Sequence, residues 1–167
     1  MAKELIVYFS RKGNNYVNGS IKNLSVGNTE VAAKMIQELT GGDLFYIEPV
    51  AEYDADYDTC TKEAARDLKA NARPEFKNAL DHIDEYDTIY LGYPNYWGTM
   101  PMHVWTFLEK YDFTGKTIKP LCTHEGSGMG HSESDIKKLC PRAKVEKGLA
   151  IHGGSVGSAK KVIEKWI

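Results

Sequence analysis

The chain has 167 residues, 42% of them hydrophobic and 26% charged, with a formal net charge of −2. That length suits one domain able to bury roughly two-thirds of its unfolded surface, and the near-balanced charge argues against nucleic acid as a partner. No stretch approaches the ~20 consecutive apolar residues of a membrane span, so no membrane association is expected. The elements then follow in chain order. Met1-Ala2-Lys3-Glu4 runs straight into Leu5-Ile6-Val7-Tyr8-Phe9, a continuous apolar run of the kind a buried parallel strand shows. This start leaves no place for a signal peptide, and a cytoplasmic chain is expected. Ser10 to Gly27 is polar and rich in Gly and Asn, and its segment Lys12–Val26 is too long for an ordinary strand-to-helix connection.

Val31, Ala32, Met35, Ile36 and Leu39 put apolar groups on one helical face, opened by Asn28 or Thr29 as cap and closed at Gly41-Gly42. Asp43–Ile47 reads as strand two. The charged segment from Glu52 to Asn78 contains one helical stretch, about Tyr57 to Ala70. Strand three (Thr88–Leu91), a helix from Met102 to about Glu109, and strand four (Thr117–Cys122) come next. A Gly/Ser-rich loop, Thr123 to Gly130, leads to a short helix near Ser134–Leu139. Strand five is Val145–Ile151, and an amphipathic helix runs from about Val156 to Trp166. Strands alternating with helices predict an α/β fold: a three-layer, doubly wound, five-stranded parallel sheet in a single domain spanning 1–167. The cysteines Cys60, Cys122 and Cys140 are odd in number, widely spaced and form no C-x-x-C pair, which fits reduced thiols in a cytoplasmic protein.

In such a sheet the loops after strands one, three and four emerge together at the carboxyl edge, where open α/β sheets bind ligands. The first runs from Ser10-Arg11 to Gly27-Asn28-Thr29-Glu30 at a helix start, whose unpaired N–H groups and partial positive charge suit a phosphate. The hydroxyls of Ser10 and Thr29 and the Asn28 amide add donors. The second, Tyr93-Pro94-Asn95-Tyr96-Trp97-Gly98-Thr99-Met100-Pro101, sets two aromatics between a Pro and a Gly and offers a stacking surface to a flat ring. The third, Thr123-His124-Glu125-Gly126-Ser127-Gly128-Met129-Gly130, lets a ligand lie against its main chain. The chain has neither a Walker phosphate loop nor a G-x-G-x-x-G after the first strand.

The combination of Val7-Tyr8-Phe9-Ser10-Arg11, Gly27-Asn28-Thr29, Tyr93-Pro94 through Trp97-Gly98, and Gly126-Ser127-Gly128 before Gly130-His131-Ser132 resembles the flavodoxins. It is most similar to a branch with a stretched phosphate loop ending in Gly-Asn-Thr. The resemblance implies strand order 2-1-3-4-5 and one non-covalent FMN as cofactor. Carried over by position, Ser10, Arg11, Asn28 and Thr29 surround its phosphate. Pro94, Asn95, Tyr96, Trp97 and Gly98 hold one side and the edge of the ring, and Thr123, His124, Glu125, Gly126, Ser127 and Gly128 wrap the other.

The expected role is electron transfer with a redox partner protein or small-molecule acceptor, the alternative being an NAD(P)H-dependent FMN oxidoreductase of the quinone reductase kind. A flavin-free module that keeps the fold is a third class. Two departures bear on the choice. Electron-carrying flavodoxins place acidic residues after the third-strand Gly, whereas Gly98 here is followed by Thr99-Met100-Pro101, and the net charge is only −2. Without negative charge beside the ring, a less reducing flavin is expected. No catalytic residue is assigned. His124 can place a proton donor near the ring and His131 can assist. The Tyr53–Asp58 stretch lacks the Gly and final Glu of a calcium loop and reads as acidic surface, so no metal is expected.

Overall fold

The period-two alternation of the first strand decides the architecture. Leu5, Val7 and Phe9 point to one side of the sheet and Ile6 and Tyr8 to the other, and all five are buried. A strand apolar on both faces needs a helical layer on each. The computed structural model describes residues 3–167 and supplies both layers. β1 (Glu4–Tyr8) pairs in parallel with β4 (Asp43–Tyr46) on one flank and β5 (Thr88–Pro94) on the other; β5 then pairs in parallel with β6 (Thr117–His124). The last position is shared by β7 (Lys144–Val145) and β8 (Leu149–His152), which pair in turn along β6. This is the expected 2-1-3-4-5 order with its fifth strand broken in the middle. The next rung after Glu146 N–H to Ile118 C=O would need an N–H on Pro120, and proline has none.

One face is covered by α3 (Met102–Lys110) and α4 (Ser132–Leu139) around a core that includes Phe45, Leu91, Phe107 and Ile136. The other is covered by α1 (Asn28–Thr40) and α5 (Lys160–Trp166) around Ile6, Ala32, Ile36, Tyr90 and Ile163. Cys122 is core, as its place in a buried strand implies. The expected helix from Val156 is corrected: a 3-10 turn occupies Gly153–Ser158, and α5 starts only at Lys160. At the start of α1 the N-cap is Gly27, not Asn28 or Thr29. The missing cap is supplied from outside, where Ser10 Oγ accepts the Glu30 N–H at 3.1 Å.

The long first connection is not a loop. β2 (Gly13–Val17) and β3 (Ser20–Leu24) form an antiparallel hairpin turned at Asn18-Gly19, both with positive φ. Asn-Gly between apolar-alternating segments is the strongest short hairpin signal in a sequence. Helix α2 (Tyr57–Lys69) is capped by Asp56, whose carboxylate accepts from Thr59 N–H, so the acidic stretch before it serves as a helix start.

His103 lies fully inside, stacked on Phe9 at 5.3 Å and met edge-on by Tyr53, with neither ring nitrogen bonded. Burial holds its pKa down to about 4, against 6.5 in the unfolded chain. Above pH 6.5 both states are neutral; below it the unfolded chain binds a proton that the folded chain refuses until about pH 4. Stability therefore falls across that window by on the order of 2 to 3 kcal/mol from this residue alone. Urea unfolding of His103→Phe at pH 7 and pH 4.5 should show a smaller acid loss than the parent by that amount.

Candidate functional site

The three loops converge as the topology requires, and one residue joins them. At the end of β6, Thr123 Oγ1 lies 2.8 Å from Thr29 Oγ1 at the start of α1, and its carbonyl accepts the Asn95 N–H of the aromatic loop at 2.9 Å. Above this junction opens a cavity of about 380 Å³, within the range of small-ligand sites.

From the first loop, Arg11, Asn28 and Thr29 line the cavity. Ser10 does not; it sits behind, committed to the α1 cap. Arg11 turns toward α2: its Nε donates to Asn14 C=O and its Nη2 to the carbonyls of Asp54 and Ala55, which leaves Nη1 uncommitted. The N–H groups of Asn28 and Thr29 remain for an anion at the helix start.

All five residues Pro94–Gly98 line the cavity. Tyr96 and Thr99 exchange backbone hydrogen bonds across a two-residue turn, Trp97-Gly98, with φ of +57° and +87°. Glycine accepts that geometry freely, but Trp97 stands in a left-handed conformation that costs a bulky residue about 1–2 kcal/mol. Trp97 nonetheless stays 57% exposed, with its indole N–H donating to the Thr61 carbonyl of α2 at 2.9 Å. A strained, exposed, tethered aromatic is placed for a ligand rather than for the core. The turn is held further by Asn95, whose Oδ1 accepts Gly98 N–H at 2.8 Å and whose Nδ2 donates to Gly128 C=O at 2.9 Å. The Tyr96 hydroxyl is buried without a partner, and burial raises its pKa.

From the third loop, Thr123, His124, Glu125 and Ser127 line the cavity, whereas Gly126 and Gly128 do not. His124 and Glu125 are no acid–base pair. His124 Nδ1 accepts the Gly126 N–H at 2.9 Å, and burial, then His152, lowers its pKa. Glu125 reaches the other way and accepts the Asn18 N–H of the hairpin tip at 2.6 Å. At Gly130 a Cβ would overlap the Gly98 carbonyl, so only glycine lets this loop close on the aromatic turn.

Seven lining residues lie outside the expected set: Asn15 and Tyr16 of the hairpin, Tyr57, Cys60, Thr61 and Ala64 of α2, and Gly153. Tyr57, Thr61 and Ala64 share one face of α2 at i, i+4 and i+7, a spacing that is legible, but which target that face meets is not. Among the described residues no group of three His, Cys, Asp or Glu could hold a metal, and no helix is long and apolar enough to cross a membrane.

The flavodoxin family profile matches residues 3–167. The chain belongs to the flavodoxin family. Among solved structures, this flavodoxin is similar to a protein designated a flavoprotein from Bacteroides uniformis, with 29% identity, 98% of each chain covered and a TM-score of 0.79. Another so designated, from Bacteroides eggerthii, shares 27% identity over 98% of each chain, with a TM-score of 0.74. A flavoprotein in complex with FMN from Lactobacillus acidophilus shares the fold at 20% identity, 99% of each chain and a TM-score of 0.68. No curated protein matches the chain significantly.

Replacing Asn95 by Ala removes two bonds that tie the aromatic turn to itself and to the third loop. The variant should lose about 2 kcal/mol of stability, read as a lower urea midpoint at unchanged slope.

Proposed function

We propose that this flavodoxin holds one FMN in the cavity and serves in electron transfer. The observation that carries the reading is the meeting of three chemically different walls in one space of about 380 Å³: a helix N-terminus, a tethered aromatic turn and a loop of backbone polar groups. The first two suit the phosphate and the ring of FMN, and the third encloses them. The N–H groups of Asn28 and Thr29, with their side chains and the free Nη1 of Arg11, offer the phosphate donors at the positive end of α1. The Trp97 indole and the Tyr96–Gly98 backbone offer a flat ring both a stacking face and hydrogen bonds at its edge. The loop Thr123–Ser127 closes the remaining side. When bound, the isoalloxazine supplies the redox chemistry; the protein's part is to orient it and limit its contact with water. The cytoplasm is the proposed compartment, which suits three cysteines that are buried and free.

A second reading, an NAD(P)H-dependent oxidoreductase that passes electrons to a quinone-like acceptor, is favoured by a specific feature. Tyr16 of the hairpin and Tyr57 and Thr61 of α2 add a further wall over the cavity. A site covered in this way suits a small acceptor entering beside the ring better than a protein meeting an open ring edge. The uncharged Thr99-Met100-Pro101 after Gly98 supports it too.

FMN should bind one per chain, at least about 100-fold more tightly than riboflavin, because two or more charge-assisted phosphate hydrogen bonds at the helix start are lost with the latter. Quenching of flavin fluorescence measures both affinities, and equal binding would remove the phosphate assignment. Anaerobic reductive titration separates the two roles. Two resolved one-electron steps support the carrier. A single two-electron transition, together with NADPH turnover with a quinone, supports the reductase. Protein that takes up no FMN overturns both.

A further inference from the structure

His131 stands where the third loop closes on the aromatic turn, outside the lining of the cavity. Its backbone N–H donates to the Gly98 carbonyl at 2.8 Å, and its ring lies against Gly98 itself: a Cβ there would stand 3.3 Å from Nε2. Gly98 lines the cavity. The ring is held from behind, with Nδ1 2.7 Å from Asp135 Oδ2, one turn along α4. The same oxygen accepts the Thr99 hydroxyl at 2.6 Å, and Thr99 is buried. The Asp135 side chain is only 9% exposed, whereas that of His131 is 59% exposed. A carboxylate accepts, so the Nδ1 proton stays between His131 and Asp135, and Nε2 is the nitrogen left to gain or lose a proton. The ring touches Gly98 of the cavity wall without itself lining the cavity, and the side chain is 59% exposed to water.

We propose that His131 is a redox-linked proton site: Nε2 binds a proton from solvent when an FMN held in the cavity takes up two electrons, and releases it on reoxidation. The inference rests on the FMN reading of the cavity. Two-electron reduction of a flavin near neutral pH adds one proton at its N5 and leaves one negative charge on the ring. A second proton on Nε2 makes an imidazolium that balances this charge, so the pair of electrons enters with two protons and no net change in charge. Asp135 acts as a positioning residue, fixing the tautomer and the orientation of the ring.

The surroundings single out this histidine. His124 lines the cavity, which His131 does not, but its Nδ1 is engaged by Gly126 N–H and its burial opposes a positive charge. His152 lies 3.7 Å from Glu125, on the side of the third loop away from the aromatic turn; like His131 it does not line the cavity, but it makes no contact with Gly98. Among the described residues, the one charged group bonded to the His131 ring is Asp135. The turn packed against it brings Asn95, Trp97, Gly98 and Thr99, and the preceding loop brings Met129 and Gly130, none of them charged. On α4, Glu133 turns away to Gly148 N–H; on β5, the Tyr93 hydroxyl donates to Ser132.

The alternative is that the pair merely caps and staples the first turn of α4, and proton counting tells the two apart. FMN-loaded protein reduced at a mediated electrode from pH 5.5 to 8.5 gives the protons taken up per electron pair. The parent should exceed His131→Gln by up to one proton at some pH in that range. Asp135→Asn should move the excess to lower pH, and Asp135→Glu should restore it in part. Equal uptake by parent and His131→Gln at every pH, with FMN bound in both, overturns this inference alone. A protein that takes up no FMN overturns it together with the reading beneath it.

Discussion

The site depends on Thr123. Its hydroxyl meets that of Thr29 and its carbonyl accepts from Asn95, so the ends of β6, β5 and the turn into α1 share one buried anchor. Both threonines are buried, and a buried donor or acceptor left unpaired costs about 1–3 kcal/mol. Two such groups facing each other are therefore strongly held together. Everything above them inherits that registration. The first residues of α1, the aromatic turn and the third loop are held together while the pair persists, because α1 carries Thr29 itself and the other two leave β5 and β6 within a residue of Thr123 and its bond to Asn95.

Local strain is concentrated above that anchor. Trp97 occupies a left-handed conformation without the freedom of glycine, and the surrounding bonds over-determine it. Asn95 holds the turn from beneath, Thr61 holds the indole from α2, and the His131 N–H holds Gly98 from the third loop. Each tether comes from a different segment, so no single loop sets the indole plane. Such redundancy holds an exposed aromatic in one orientation without burying it, which is what a stacking surface for a flat ligand requires.

How much of this was legible in the sequence depended on the range of the interaction. The unbroken apolar run Leu5–Phe9 carried a strand buried on both faces and the strand–helix alternation a doubly wound parallel sheet, whereas the strand order came with the family resemblance. The same topology brought the three loops to one edge. Two further signals are local: Asn18-Gly19, which turns the hairpin, and Pro120, which breaks the fifth strand by withholding an N–H. What was not legible depended on long-range choices. Ser10 looks like a phosphate ligand but caps α1 across twenty residues, and Arg11, which does line the cavity, also braces the approach to α2. Tyr16, Tyr57 and Thr61 join the cavity because two peripheral elements lean over it. No spacing within either element says where that face will land.

Those leaning elements also bear on the chemistry. Hairpin and α2 are joined to the site by side chains that a minimal ligand cradle does not need: Arg11 to the carbonyls before α2, Trp97 to Thr61, and Glu125 to Asn18 at the hairpin tip. Each joins a cavity residue to a peripheral element, so the positions of the covers and of the cradle are mechanically coupled. A group seated against Trp97 or Glu125 acts directly on the tethers of the covers. The indole bond is worth about 1 kcal/mol, and those in which Arg11 or Glu125 takes part about 1.5–3 kcal/mol each. The sheet edge fixes where the cavity lies, and these tethers fix the peripheral elements that complete its wall.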